Sequence, residues 1–536
     1  MAFVERLRAV LAREATATGL VAVLFAPVCW MVLLERWAAA GQASFPGHAD
    51  SSFYFSLAKN LANGRGPVID YIWHFWAPHT DLTHFGPDYW MPLPSLLIAA
   101  VMKLSAPSVV VAARCAVVAS VALAALVWVF ARTSSLPRWA ALLACAAVFL
   151  ALPVGHFSVR ADPSLYYAVF VLGALTLGIR ARDSGDLRLL FGAGLVAGAA
   201  HLSRNDGVLV IVSLAVAQLC WSPPSQFLRR LGVLCAGYAL LLAPWLLLSF
   251  TRTGRLMPAH GALPFLVDYE DLFALPPGPS FSDLARAGLW DALLLRQRAS
   301  LDRSLDVVKE ALGVPLLALA LGVGMLLGAK VAGRAPESSL LGQLRRTRWL
   351  LPSLYVLGVC FLHISITPVA SGSGAVSRTL PAVLALVVVA AISGAIAIRA
   401  GAGVTVAAAA LLLVWPWHEQ AKGMPLRDVR ENNAVAERLA VLHGALDREA
   451  RCFHRPVVVM TREPWQLTEL TGYRSIQIPN ADLDTILATA KRYGVTHLMP
   501  SFRRRALGDP RLLAAFAPVP GVAGLSRTTE PAHSCP

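Results

Sequence analysis

Five charged residues stand at the ends of long apolar stretches, where charge is uncommon. Asp50 lies in HADSSFYFSLAKNLANGRG, just after the first apolar run; Arg160 and Asp162 lie in SVRADPSLYYAVFVL; Arg204 lies in HLSRNDG and Arg378 in SRTLPAVL. Ionisable groups beside a membrane are costly and are usually paired or functional. A carboxylate of this kind can accept a proton, and an arginine fork suits a phosphate.

Both aspartates also have a purely structural interpretation. Apolar residues recur at helical spacing after Asp50, so Asp50 stands where a helix N-cap would stand. Asp162 precedes Pro163, and a capping Asp followed by Pro at the first helical position is a common helix start. Capping and catalysis are compatible, and the local sequence alone leaves both open.

The two arginines near later apolar runs also have simple alternatives. Arg204 and Asp206 together could form an ion pair in a turn at the membrane surface. Arg378 could extend towards lipid phosphate from the start of an apolar span.

The His-rich loop, residues 70–90, reads DYIWHFWAPHTDLTHFGPDYW. Imidazole and carboxylate groups both bind divalent metals, but the five-residue spacing of the histidines fits no standard motif, so a metal site stays open. The candidate ligands are His74, His79, His84, Asp81 and Asp88. The aromatic residues of the loop indicate an interfacial belt or a surface on which a sugar stacks.

The composition indicates a polytopic helical membrane protein. The chain has 536 residues, of which 56% are hydrophobic and 15% charged, and its mean hydropathy is +0.59. Many apolar runs reach the length of about 17–25 residues that spans a bilayer. The formal charge of +15 is attributed to cytoplasmic loops and not to nucleic-acid binding. Neither a phosphate-binding loop of nucleotide hydrolases nor a GxSxG motif is present.

The apolar runs predict eleven spans with the N-terminus in the cytoplasm. They lie at about 17–39, 109–131, 139–153, 164–181, 189–203, 206–222, 231–250, 307–329, 349–367, 379–398 and 401–417. Segment 92–106 is too short to cross and is expected to be an interfacial or re-entrant helix. This arrangement places nearly every basic loop in the cytoplasm. Outer loops at about 40–108 and 251–306 then share one side with all five charged residues.

The polar tail, residues 418–536, is predicted to be a small extracytoplasmic α/β domain. It contains an amphipathic helix near 432–450, a second helix at 483–494 and three strands. The strands are PVVVM, YRSIQIP and VTHLMP. Whether Cys452 and Cys535 form a disulfide is left open.

Several motifs in order resemble the GT-C superfamily of polyprenyl-phosphate-sugar-dependent glycosyltransferases, in particular the protein O-mannosyltransferase and lipid A aminoarabinose transferase types. HADSSFYFSLAKNLANGRG is similar to the family's D-E-x-x-Y-x-x-x-A-x-x-L-x-x-G, and YWMPLPSLLIAAVMKL to its aromatic-Pro-Pro juxtamembrane helix. SVRADPSLYYAVFVL, APWLLLSFTRTGRLMPA and SRTLPAVLALVV resemble later segments. The resemblance covers most of residues 1–417, which implies an all-α GT-C-like transmembrane domain followed by the α/β tail.

The resemblance implies roles for particular residues. Asp50 and Asp162 are expected to be the catalytic carboxylates. The expected ligands of the donor phosphate are Arg204, Arg378 and Arg160, and the expected contacts of the sugar or acceptor are His48, Tyr54 and Trp90. Ser51 departs from the pattern, because relatives often carry a second acid there. No cofactor is certain, and a divalent metal remains open.

The function predicted from these features is the transfer of a sugar from a polyprenyl-phosphate donor to an extracytoplasmic acceptor, either a cell-envelope lipid, a glycan or a protein. The enzyme would be a multi-pass protein of the plasma (inner) membrane, in contact with membrane lipid and without a nucleic-acid partner. The alternative is a non-catalytic lipid-linked glycan flippase or transporter, or a polymerase partner. This alternative accounts for the spans but not for acids gathered at one membrane surface.

Overall fold

A computed structural model of the chain describes most of its residues. The described ranges are 14–77, 79–256, 269–277, parts of 286–302, 348–365, 376–397, 423–451, 456–499, 510–519 and 525–528. The spans predicted at 307–329 and 401–417, most of loop 251–306, and both Cys452 and Cys535 lie outside the described residues.

The first half of the chain is mostly helical. Its helices are α1 (Glu14–Gly41), α2 (Ala49–Ala62), α3 (Leu93–Leu104), α4 (Val109–Thr133), α5 (Arg138–Leu150), α6 (Leu152–Phe157), α7 (Pro163–Ser184), α8 (Leu187–Ser203), α9 (Val208–Trp221) and α10 (Pro224–Thr253). Helices α11 (Leu350–Ser365) and α12 (Leu380–Ala397) follow. Each apolar run that was predicted as a span and that is described here forms a helix.

Four helices of the described part are long and apolar enough to cross a membrane, namely α1, α4, α7 and α10. The other apolar helices are shorter. Helix α3 has 12 residues, roughly 18 Å at 1.5 Å per residue, which is short of a bilayer core of about 30 Å. This length agrees with the prediction that segment 92–106 does not cross.

Small residues let α8 and α10 pack at backbone distance. A Cβ on Gly194 would lie 2.1 Å from the carbonyl oxygen of Leu234, and a Cβ on Gly237 would lie 2.2 Å from that of Phe191. Only glycine fits such contacts, which are typical of helices packed within membranes. These contacts lie in the middle of α8, the helix whose C-terminal end leads through Arg204 into the turn before α9.

The tail contains the strands and helices predicted for it, but its sheet also recruits a strand from the His-rich loop. The helices are α13 (Met424–Ala450), α14 (Pro464–Thr471), α15 (Leu483–Arg492) and α16 (Pro510–Ala515). Strands β1 (Val68–Ile69), β2 (Tyr71–Ile72) and β3 (His84–Phe85) lie in or beside the His-rich loop, and β1 and β3 form a separate two-stranded sheet. The tail contains strands β4 (Val458–Thr461), β5 (Arg474–Gln477), β6 (His497–Met499), β7 (Phe516–Pro518) and β8 (Ser526–Thr528).

The large sheet has the strand order β2-β5-β4-β6-β8-β7. Strand β2 pairs in parallel with β5, with Tyr71 beside Ser475. Ile72 and Phe75 pack with Met460 and Ile476 in one apolar core. The predicted domain boundary at residue 418 therefore does not enclose the whole sheet, because its edge strand comes from residues 71–72.

The tail also contacts the helix that carries Asp50. The amino group of Lys59 lies 2.6 Å from a carboxylate oxygen of Glu469 on α14, and the hydroxyl of Ser56 donates to the other oxygen. Asn433 on α13 accepts hydrogen bonds from the backbone and the side chain of Ser44. These contacts fix both ends of the segment around Asp50 against the tail.

Candidate active site

Asp50 lies in the first turn of α2 but does not cap it. The helix starts at Ala49, and its N-cap residue is His48, which makes no side-chain capping bond. The capping role considered for Asp50 is therefore wrong. A carboxylate in the first turn still interacts favourably with the helix dipole. Because Asp50 does not cap the helix, its oxygens can pair with a charged group from another segment.

Asp162 does cap its helix, as predicted. Its Oδ1 accepts a hydrogen bond of 2.9 Å from the backbone N–H of Ser164 and another from the hydroxyl of the same residue, and Pro163 occupies the first helical position of α7. The second oxygen, Oδ2, points away from the cap. One carboxylate thus serves the helix with one atom and the site with the other.

Arg378 joins the two aspartates. Its Nε lies 3.1 Å from Oδ2 of Asp50 and 3.1 Å from Oδ2 of Asp162. The side chains are only 16%, 3% and 21% exposed for Asp50, Asp162 and Arg378. Both contacts use Nε, so neither involves the two terminal amino groups of the guanidinium. Three segments far apart in the sequence therefore meet at one charged centre.

The environment pushes the pKa values of the two aspartates in opposite directions. Burial raises the pKa of Asp50 above its usual 3.8, and the negative charge of Asp162 adds to this, although Arg378 opposes it. Burial acts in the same direction on Asp162, but Arg378 and the hydrogen bonds from Ser164 outweigh it, and the pKa of Asp162 is lowered. Separated pKa values are how a pair of carboxylates divides the roles of proton acceptor and permanent anion.

Arg204 forms the predicted pair with Asp206. Its Nε lies 2.9 Å from Oδ1 and its Nη2 lies 2.9 Å from Oδ2 of that residue, a two-pronged contact. The guanidinium lies over the ring of Tyr167 at 5.5 Å, and its charge lowers the pKa of Asp50 alongside that of Arg378. Arg204 is therefore both a paired group and part of the electrostatic surroundings of Asp50.

Arg160 contacts the tail. Its Nη2 lies 2.9 Å from Oδ2 of Asp428 on α13, and His156 lies 3.7 Å from the same oxygen. This partner was not foreseen, because nothing in the local sequence of α13 marks Asp428 as different from its other charged residues. The charge of Arg160 is therefore paired with a carboxylate of the tail.

The three residues expected to contact sugar or acceptor occupy different surroundings. His48 is exposed at the start of α2. Tyr54 is 1% exposed, and burial, followed by the charge of Asp50, raises its pKa well above 10. Trp90 stacks on Trp73 with ring centroids 4.3 Å apart and also contacts Phe53 at 4.7 Å.

No second acid stands next to Asp50 in the chain, since Ser51 is there and is 2% exposed. The second carboxylate of the centre is supplied by Asp162 instead. The described part of loop 251–306 contributes Tyr269 to the surroundings of Asp50. Burial raises the pKa of Tyr269, and the negative charge of Asp50 raises it further. The sequence offered no motif that would have marked Tyr269.

In the His-rich loop, three histidines converge on one carboxylate. The Nε2 atoms of His74, His79 and His84 lie 3.3, 3.5 and 3.7 Å from the oxygens of Asp88. Asp81, the other acid considered there, points away: its side chain is 67% exposed and lies 3.8 Å from Arg474. Spacing alone could not show the convergence, because the β1–β3 hairpin creates it.

Residues 87–248 match the family model described as dolichyl-phosphate-mannose-protein mannosyltransferase, a range that contains Asp162 and Arg204 but neither Asp50 nor Arg378. No curated protein sequence matches the chain.

Among solved structures, ArnT from Cupriavidus metallidurans, bound to undecaprenyl phosphate, is similar with a TM-score of 0.52 and 16% identity over 89% of each chain. The oligosaccharyltransferase of Archaeoglobus fulgidus is similar with a TM-score of 0.48 and 11% identity, over 88% of this chain and 69% of that one. The match of residues 87–248 and the shared fold confirm the resemblance read from the sequence: this membrane protein has the fold of the GT-C superfamily of glycosyltransferases.

Proposed function

We propose that the protein transfers a sugar from a polyprenyl-phosphate donor to an acceptor on the extracytoplasmic side of the plasma (inner) membrane. The observation that carries this proposal is the contact of Arg378 with both Asp50 and Asp162. A buried centre of one cation and two anions, built at the ends of apolar helices, suits a reaction in which a hydroxyl loses a proton while a phosphate leaves.

Asp50 is the proposed general base. Its pKa is raised, whereas that of Asp162 is lowered, and its side chain is more exposed than that of Asp162. Arg378 contacts Oδ2 of Asp50, and Oδ1 takes no part in that contact. In the proposed step the acceptor hydroxyl attacks the anomeric carbon of the sugar, its proton passes to Asp50, and the bond from that carbon to the phosphate oxygen breaks. Direct displacement of this kind inverts the anomeric configuration.

Asp162 is the proposed anchor for Arg378. Because Oδ1 is held by the cap of α7 and Oδ2 faces Arg378, the arginine is oriented by a rigid helix start. The terminal amino groups of Arg378 would then bind the departing phosphate. Arg204 would add positive potential to the site while remaining paired with Asp206. Preorganised donors are effective where negative charge develops during a reaction.

We further propose that the tail helps to shape the acceptor side of the site. Arg160 of the membrane domain pairs with Asp428 of the tail, and Glu469 of the tail pairs with Lys59 on α2.

The similar ArnT structure contains undecaprenyl phosphate, which supports a lipid-phosphate donor in general. Trp90, Tyr54 and His48 remain candidates for contact with the sugar or the acceptor.

The direct test compares cells that express the wild-type protein with cells that express Asp50→Asn. We expect the polyprenyl-phosphate sugar to accumulate and one envelope glycan or lipid modification to disappear in the variant, both read by mass spectrometry. Asp81→Asn is the matched control, because it removes an exposed carboxylate from the same outer loop, residues 40–108. Wild-type glycans in the Asp50→Asn strain would contradict the catalytic assignment and favour the flippase or partner alternative.

A further inference from the structure

Three polar atoms in the His-rich loop lack hydrogen-bond partners among the described residues, and two of them, both histidine nitrogens, face the third, a carboxylate oxygen. They are Nε2 of His79, Nε2 of His84 and Oδ2 of Asp88. Their side chains are 4%, 9% and 2% exposed. Unpartnered buried polar atoms are rare in folded proteins and call for an explanation. Here all three belong to one cluster, and all three are good metal ligands.

The surrounding hydrogen bonds turn the ring nitrogens inward. Nδ1 of His84 lies 3.2 Å from the carbonyl oxygen of Leu82, so it carries the ring proton and leaves a lone pair on Nε2. The ring of His79 hydrogen-bonds the backbone of His74, while its Nε2 is without a partner. Fixing a histidine through its outer nitrogen is the usual arrangement around a bound metal.

His74 plays a different part. Its Nδ1 accepts a hydrogen bond of 3.2 Å from the backbone N–H of Trp76, so the ring proton of the neutral form lies on Nε2. That nitrogen is 3.3 Å from Oδ1 of Asp88. His74 therefore holds the carboxylate by its far oxygen, and Oδ2 remains directed at His79 and His84.

We propose that His79, His84 and Asp88 bind a divalent cation of the zinc type, with His74 as the residue that orients Asp88. Zinc ligands of this kind lie about 2.0–2.2 Å from the metal, which places two ligand atoms of one tetrahedron roughly 3.3–3.6 Å apart. The observed separations from Oδ2 of Asp88 are 3.5 Å for His79 and 3.7 Å for His84. Two imidazoles and one carboxylate favour zinc over magnesium or calcium, which prefer oxygen ligands.

A cation-free cluster of buried histidines explains the geometry less well. Hydrogen bonds between nitrogen and oxygen are usually 2.7–3.2 Å long, by the general range of such contacts, and 3.5 and 3.7 Å exceed it. Without a cation, two lone pairs would face an anionic oxygen inside the protein. A metal ion removes that repulsion and satisfies all three atoms together.

The metal would fasten the two halves of the His-rich loop to each other. The first half docks on the tail: β2 pairs with β5, and the carbonyl of His79 accepts hydrogen bonds from Arg492 and Tyr493. The second half leads to Trp90, which packs on Phe53 of α2 three residues beyond Asp50. The cation thus links the tail to the helix that carries Asp50, through contacts that do not include the charged centre itself.

The test measures metal content in the purified full chain in detergent, after dialysis against a weak chelator. We expect one zinc per chain in the wild-type protein and none in His79→Ala or His84→Ala. His74→Gln should retain the site with an affinity about 10–100-fold lower, the usual effect of losing an outer partner. His443→Ala is the control, because His443 is exposed and pairs with Asp447; it should keep the zinc.

A second measurement does not depend on how well the variants fold. Wild-type protein stripped with a strong chelator should melt at a lower temperature and recover on addition of zinc alone. Cobalt in its place should give the visible absorption of a tetrahedral site. Wild-type protein that holds no zinc and whose melting temperature does not change with zinc would overturn the proposal. Equal zinc content in His79→Ala, His84→Ala and the control would do so as well. None of these readouts uses sugar transfer, so they are independent of the proposed function.

Discussion

Two buried polar clusters among the described residues solve the problem of buried charge in different ways. At the charged centre, Arg378 lies between Asp50 and Asp162, so a cation of the protein itself offsets part of the charge of the two anions. In the His-rich loop, Asp88 faces two histidine nitrogens that have no protons to offer it. In the proposed mechanism, the first cluster exchanges a proton and binds a phosphate. The second lacks a positive charge, and a cation would complete it.

The largest expected effect distinguishes the two clusters by their chemistry. Asp50→Asn keeps the size of the side chain but removes the base, so kcat/KM for sugar transfer should fall by about 10²–10⁴. Zinc content should stay at the wild-type level. The measurement is transfer of labelled sugar by protein reconstituted in vesicles, with yield and melting temperature as controls for folding. Loss of zinc together with activity would mean that the clusters are not independent.

The next effect concerns how Arg378 and Asp162 set the pKa of Asp50. A general base must be ionised, so transfer should decline as the pH falls through a pKa that burial has raised above 3.8. Arg378→Gln removes a charge that lowers this pKa, so the acid limb should move to higher pH while the rate falls about 10²–10³-fold. Asp162→Asn removes a charge that raises it, so the limb should move to lower pH. Shifts in the same direction would contradict the arrangement.

A smaller effect separates the two duties of Asp162. Asn caps helices about as well as Asp, whereas Ala does not cap, at a cost of about 0.5–2 kcal/mol. Asp162→Ala should therefore lower the free energy of unfolding by that amount relative to Asp162→Asn, and both should lose transfer activity to a similar extent. Denaturation in detergent checks the first part and the transfer assay the second. Equal stability of the two variants would show that the cap contributes nothing.

The smallest effect is expected at the exposed ion pair beside the His-rich loop. Arg65 makes a two-pronged contact of 2.7 and 2.8 Å with Asp70, but its side chain is 47% exposed. Arg65→Gln should cost about 0.2–1 kcal/mol, with less effect at high salt, and should leave zinc content unchanged. A large loss of stability would mean that this pair, and not the cation, holds the loop in place.

The sequence was a good guide to the helices and a partial guide to the site. Apolar runs located the helices because burial in lipid or in a helical core imposes long apolar stretches. Asp162 was placed correctly as a cap because Asp-Pro is a local signal. Asp50 was not, because the start of α2 differs from the local pattern by two residues.

Contacts between distant segments could not be read in the same way. The partnership of Arg160 with Asp428 depends on how α13 docks, and no local pattern encodes that docking. The same holds for the convergence of His74, His79 and His84 on Asp88, which the hairpin brings about. The distribution of basic residues among the loops did place Asp50, Asp162 and Arg378 on one side of the membrane, and the structure brings those three together.

The pairing of β2 with β5 has a consequence for biosynthesis. Tyr71 emerges early from the ribosome, but its partner Ser475 is made only after all the membrane helices. Parallel pairing between such distant segments closes slowly, because it closes a very long loop of chain. Strand β2 of the His-rich loop therefore stays unpaired until translation is nearly complete. A chain truncated before the tail would leave that edge exposed to pair with other molecules.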